Sequence, residues 1–131
     1  MRARVKSQLS IVLLLGVATV PGCVAAVAAG AATGIYLTSR GAESLVQGSV
    51  NEVAQRTQAA FTSLTITPTG SSNDNGGDKR EFKGKQGDLD VTVKLERKSP
   101  TTTQTEVTAR KNLAKWDKDY AKAVLSKIVG G

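Results

Sequence analysis

A long stretch without charge near the N-terminus constrains this chain more than any other feature. No Asp, Glu, Lys or Arg lies between Lys6 and Arg40, a run of 33 positions. Residues 1–37 hold 24 apolar side chains, whereas the remaining 94 residues hold only 28. A membrane-directed segment therefore precedes a domain of low apolar content, which supports only one small core.

Residues 1–22 have the three-part order of a secretory signal peptide. Three basic side chains lie within the first six residues, and residues 9–19 form an apolar run. A cationic head followed by a short apolar core is typical of exported proteins. The run leads into Val20, Pro21, Gly22 and Cys23, which is the only cysteine.

The residues V-P-G-C at 20–23 resemble the lipobox of bacterial lipoproteins, in which cleavage leaves a lipid-modified cysteine as the new N-terminus. The resemblance implies that Val20, Pro21 and Gly22 are the cleavage motif and that Cys23 is lipidated, so that membrane lipid is a partner. Acylation would block the thiol and exclude nucleophilic or redox chemistry there. The resemblance also implies that Val24, rather than Asp, after the anchor permits transport to an outer membrane, where the domain would face the periplasm.

The same uncharged stretch supports an alternative, in which residues 7–39 hold one uncleaved membrane-spanning helix of about 20 residues. Pro21-Gly22 would interrupt such a helix, and a lone cysteine after a short apolar run favours the lipid anchor. Residues 23–40 are then the lipidated cysteine and an Ala/Gly-rich tether. Gly30 and Gly34 form a G-x-x-x-G spacing, so a dimerising helix is the alternative to a tether.

Residues 41–131 carry the periodicities of a small α+β domain. Residues 42–47 predict a strand, and Ser49 with Glu52 fits a capping box ahead of a helix that ends near Ser63. Spacings of three and four define its apolar stripe. The stripe consists of Val50, Val53, Thr57, Ala60, Phe61 and Leu64.

The next segment predicts a break in regular structure. Pro68 should end a short β-branched stretch, and residues 69–80 have no apolar member, which indicates a flexible loop. Counted from Ser72, the twelfth position is Lys83 where a helix-loop-helix calcium site needs Glu. The sequence therefore predicts no metal in this loop.

Three strands and a helix complete the domain. Residues 80–86, 89–96 and 103–110 alternate apolar and polar side chains across short turns, which predicts antiparallel pairing. A C-terminal helix follows, with Asp117 as its cap and a stripe of Trp116, Tyr120, Val124 and Ile128. The order β-α-β-β-β-β-α predicts a two-layer sandwich, a mainly antiparallel sheet of four or five strands with two helices on one face.

The Gly22-Cys23 anchor, the Ala/Gly-rich run, residues 36–43 and this strand order together resemble a family of small bacterial lipoproteins catalogued as a domain of unknown function. The resemblance covers nearly all of residues 22–129. It implies a lipid-anchored envelope protein and supplies no catalytic residues.

Composition argues against enzymatic chemistry. The chain has no His, which excludes imidazole acid-base catalysis, and one Cys cannot build a disulfide framework or a Cys-rich zinc site. The remaining carboxylate pairs, Asp88 with Asp90 and Asp117 with Asp119, suit a turn, a solvated strand and a helix start. We therefore expect no enzymatic activity and no cofactor or metal.

The net charge of +7 suggests a basic surface, although residues 1–22 supply three of the basic side chains and their removal leaves +4. The candidate contacts to anionic surfaces are Lys83, Lys85, Lys94 and Arg110, which we expect on the solvated sheet face. Asp90, Glu96 and Glu106 should dilute this patch. Few aromatic residues and the lack of a binding motif argue against nucleic acid.

These observations predict an exported, lipid-anchored envelope lipoprotein with a structural or interaction role. The alternatives are a binding module for anionic envelope components, such as phospholipid headgroups or lipopolysaccharide, and a single-span membrane protein with the same domain. An envelope protein or anionic lipid is the expected partner.

Overall fold

A computed structural model describes residues 34–112 and 114–131. The strands are β1 (Tyr36–Leu37), β2 (Gly41–Gln47), β3 (Thr67–Asp74), β4 (Lys79–Gln86), β5 (Leu89–Ser99), β6 (Thr102–Lys111) and β7 (Lys115–Trp116). The helices are α1 (Val50–Ser63) and α2 (Lys118–Gly130), and a 3-10 turn at Asn75–Gly77 joins β3 to β4. The predicted α+β class is confirmed. The predicted signal peptide, cleavage motif and Cys23 lie outside the described residues.

The strands form one antiparallel sheet in the order β1-β2-β6-β5-β4-β3. The first long strand, β2, pairs with the last, β6, and α1 carries the chain from one side of the sheet to the other. Gly41 starts β2 directly against the Val107 carbonyl, where any side chain would collide. The short strand β7 pairs with β6 beyond the end of β2.

Both helices cover one face of the sheet. Helix α2 packs against β2 and β6, and α1 packs against α2 and β5. The core lies between these layers, and its largest fully buried apolar side chains are Val46, Val53, Val91, Val93, Leu95, Val107, Val124, Leu125 and Ile128. The prediction of two helices on one face of a mainly antiparallel sheet is therefore confirmed, but the described sheet has seven strands rather than four or five, because β1, β3 and β7 carry no apolar alternation.

Helix α1 begins with the predicted capping box. The Glu52 backbone N–H donates to the Ser49 hydroxyl at 3.2 Å, and the Ser49 backbone N–H donates to the Glu52 carboxylate at 2.8 Å. The second bond lowers the pKa of Glu52, because it favours the ionised carboxylate. Its contribution to stability is present at neutral pH and is lost as the pH falls through that lowered pKa.

The same helix ends in a Schellman motif whose left-handed residue is a threonine. The Ile66 backbone N–H donates to the Phe61 carbonyl at 2.7 Å, and the Thr65 N–H donates to the Thr62 carbonyl at 3.2 Å. Thr65 has a φ of 58°, a region that glycine usually occupies and that a β-branched side chain disfavours. Backbone strain is therefore concentrated at this residue.

Replacing Thr65 by glycine should raise the free energy of unfolding by about 1 kcal/mol, because the left-handed conformation carries no Cβ penalty in glycine. Chemical denaturation with circular dichroism measures the change. Thr65→Ala is the matched control, since it removes the branch but keeps Cβ. Its free energy of unfolding should rise much less. A Thr65→Gly protein that is less stable than the wild type would contradict this account.

The predicted flexible loop at 69–80 is wrong, because β3 and the start of β4 occupy it. Every residue of β3 is exposed, and the strand is held by its ladder with β4. No apolar alternation is needed in a strand that buries neither face. Pro68 lies inside β3 rather than ending it, and the register shifts beside it, as proline requires at a sheet edge.

Gly84 in β4 lies under the end of α1. A Cβ at this position would lie 2.5 Å from the Ile66 Cγ2 and 2.9 Å from the Phe61 ring, both of them core side chains. The close approach of β4 to the end of α1 therefore depends on the absence of a side chain.

Gly84→Ala should lower the free energy of unfolding by about 1–3 kcal/mol, the usual range for overpacking a core. Gly70→Ala, in the neighbouring strand, is the control because a Cβ there has no heavy atom within 4 Å. Thermal unfolding of both variants tests the difference. Equal stability of the two variants would show that the core relaxes around the added methyl group.

The folded domain begins before residue 41. Strand β1 lies within the range 23–40 predicted as a tether, and Tyr36 pairs with Glu43 of β2. Among the described helices, neither combines the length and the apolar character needed to cross a bilayer.

Candidate functional site

The sheet face opposite the helices carries most of the charged side chains of the strands, and we call it the outer face. Alternation along β5 shows the division, since Val93 is fully buried while Lys94 is exposed. By this alternation and the strand register, all four predicted contacts lie on the outer face; they are Lys83, Lys85, Lys94 and Arg110.

The three lysines of this set are paired with carboxylates. Lys83 and Lys94 lie 3.8 and 3.9 Å from the two carboxylate oxygens of Glu81. Lys85 lies 3.6 Å from Asp90. Exposed ion pairs of this kind add little stability, but they neutralise charge that would otherwise attract an anion.

Arg110 has a different neighbour, because its guanidinium lies over an indole. The Arg110 Cζ is 4.9 Å from the centre of the Trp116 ring, and the Arg40 Cζ is 5.6 Å from the same ring. Both distances fall within the range of cation–π attraction. Arg40 was missed by the sequence reasoning, because it precedes β2 in a turn where strand alternation does not apply.

The prediction that Trp116 belongs to the core stripe of α2 is wrong. Trp116 lies in β7, opposite Arg110 of β6. Asp117 is confirmed as the cap: its carboxylate accepts from the Tyr120 N–H at 2.9 Å, so the helix begins after Trp116. The Asp117 N–H meanwhile donates to the Ala109 carbonyl at 2.8 Å and continues the β pairing.

The strand register divides the outer face by charge into two halves. The basic half has four cations and one carboxylate: Arg40, Lys83, Lys85, Arg110 and Asp90. The acidic half has five carboxylates and three cations: Glu43, Asp74, Glu81, Glu96, Glu106, Lys79, Lys94 and Lys98. Net side-chain charges of +3 and −2 therefore lie at opposite ends of one sheet face.

Two adjoining open depressions lie on this face. One of about 350 Å³ lies over the basic half, and one of about 260 Å³ lies across the boundary, where Glu81, Lys94 and Glu106 of the acidic half also line it. Thr92 and Thr108, which pair directly across β5 and β6, line both depressions together with Lys83 and Trp116. Hydroxyl, ammonium and guanidinium donors around an indole suit an anionic group with an apolar neighbour.

Three of the four carboxylates singled out from the sequence have structural partners, and the fourth, Asp119, lies in the first turn of α2. Asp88 pairs with Lys111 at 3.8 Å, Asp90 pairs with Lys85, and Asp117 caps α2. In the acidic half, a hydrogen bond from Lys98 lowers the pKa of Glu96, whereas a general acid needs a raised pKa. The described part of the chain contains no cluster of three side chains suited to a metal ion.

The fold and this face define a small α+β domain with an open, charge-polarised sheet. Comparison of the chain with models of protein families and with curated proteins finds no match.

The chain has a single tryptophan, so fluorescence quenching tests the electrostatics at Trp116 directly. With the protein in neutral detergent, iodide should quench its emission more strongly than caesium, because two guanidinium groups flank the ring. Replacing Arg40 and Arg110 together by glutamine should bring the two quenching constants closer. Arg97→Gln, at the far end of β5, is the control and should leave the ratio unchanged. Equal quenching by the two ions in the wild type would refute the placement.

Proposed function

We propose that this chain is an exported envelope lipoprotein, anchored by lipid on Cys23, whose α+β domain has a non-enzymatic structural or interaction role. One observation carries the proposal. The only cysteine follows an apolar run after three residues, V-P-G at 20–22, and the first described strand begins 13 positions later, at Tyr36.

The short connection keeps the domain close to the membrane. Thirteen residues span at most about 45 Å when fully extended. A domain on such a tether meets other membrane-bound partners at a high local concentration, so modest affinities suffice for assembly. Val24 after the anchor favours the outer membrane, with the domain facing the periplasm.

The described surface supports an interaction role. Three of the four carboxylates considered for catalysis instead form ion pairs or cap a helix, as Asp90 and Asp117 show. The outer face is an open sheet with a separated charge distribution, and such a surface recognises partners by electrostatic complementarity.

Metabolic labelling with a radioactive fatty acid tests the anchor. The native chain should incorporate label and lose residues 1–22, whereas Cys23→Ser should lose the label and retain the signal peptide by mass. Cys23 is the only thiol in the chain, so no second acylation site of this kind confuses the result.

Equal labelling of both proteins, or none in either, would overturn the proposal. An unlabelled native chain that keeps residues 1–22 and stays in the membrane fraction would instead support a single membrane span over residues 7–39.

A further inference from the structure

Arg40 and Arg110 differ from the lysines around them in having no carboxylate partner. Within the described residues, every ion pair of the outer face involves a lysine, and neither arginine forms one. Both guanidinium groups instead lie beside the Trp116 ring. Their charge is therefore available to an external anion.

The donors around these arginines match a phosphate group. Thr92 and Thr108 are half-buried, and their hydroxyls have no hydrogen bond to the rest of the described chain. A guanidinium offers two parallel N–H donors to phosphate oxygens, which a lysine cannot do. Trp116 adds an amphipathic ring of the kind that concentrates at membrane–water interfaces.

The tether is long enough to bring this group of residues to the membrane. The chain enters the sheet at Tyr36, which is level with Glu43 and Glu106. Arg110 lies four residues farther along β6, about 13 Å away, whereas the tether spans up to about 45 Å.

The polarised face selects one orientation of the anchored domain. An anionic membrane surface attracts the basic half and repels the acidic half, and each basic residue near the surface strengthens binding about fivefold. With a net charge of +3 in one half and −2 in the other, the two ends of the sheet have opposite preferences.

We infer that the basic half docks the domain onto an anionic phospholipid surface, with Arg40 and Arg110 on lipid phosphates and Trp116 among the headgroups. The acidic half then points away from the membrane. The inference rests on the proposed lipid anchor, because the anchor keeps the domain within reach of the surface.

The test uses the full lipidated chain in vesicles that contain brominated phospholipid, which quenches tryptophan only at close range. Trp116 should be quenched in vesicles that contain phosphatidylglycerol and much less in pure phosphatidylcholine. Because the attraction is electrostatic and exposed, high salt should reverse the quenching.

Matched variants assign the effect to particular residues. Arg40→Gln and Arg110→Gln should each reduce the ratio of docked to undocked domain about fivefold, and the double variant about 25-fold. Arg97→Gln removes the same charge from an exposed site at the other end of β5 and should leave quenching unchanged. Circular dichroism confirms that each variant is folded.

Flotation of the vesicles separates the two proposals. A chain that floats but shows no lipid-dependent quenching leaves the anchor standing and overturns the docking. A chain that does not float overturns the anchor, and the docking with it. In neutral vesicles, soluble glycerol phosphate could also protect Trp116 from quenching by iodide. If it does, and if the arginine variants lose this protection, the result would overturn membrane docking in favour of a soluble phosphate ligand.

Discussion

The pairing of β2 with β6 is the contact on which the rest of the fold depends, because it joins the two ends of the domain. Seven residue pairs, from Gly41 with Thr108 to Gln47 with Thr102, fix the register. Helix α2 then packs over both strands, and β7 extends the open edge of β6 where β2 stops. The strand register also places the charged side chains of the outer face in two separate halves. The same strand pairing therefore determines both the fold and the charge distribution of this face.

Local signals in the sequence were sufficient where a segment has a buried face. The capping box at Ser49 and the apolar stripe after it predicted α1, and the alternation of β5 predicted that strand. An element with one buried face needs apolar side chains at a fixed period, which the sequence shows directly. Strand β3 was not predicted from the sequence, because it has no buried face and is held by main-chain pairing with β4. Only the tertiary partner distinguishes such a strand from a polar loop.

The sequence predicted only part of the candidate site, because contacts between neighbouring strands are also set by tertiary structure. Alternation placed Lys83 and Arg110 on the outer face, but it could not show which cations meet carboxylates across strands. Trp116 fits the helical period of α2, and only the cap at Asp117 separates it from that helix. The chain folds back into β7 at this point, and that tertiary event gives Arg40 and Arg110 their common neighbour.

The acidic half contains a pair that stability alone would disfavour. Glu43 and Glu106 are directly opposite in the β2–β6 ladder, and like charges in such positions destabilise a sheet. A hydrogen bond from Gln104 to Glu43, at 3.3 Å, offsets this only in part. The basic half shows the stabilising arrangement at Lys85 and Asp90, which are opposite in the β4–β5 ladder. An opposite charge at either Glu43 or Glu106 would relieve the repulsion, but it would also weaken the separation of charge on which the proposed orientation of the domain depends. The unfavourable pair therefore fits the proposed role of this face in electrostatic recognition.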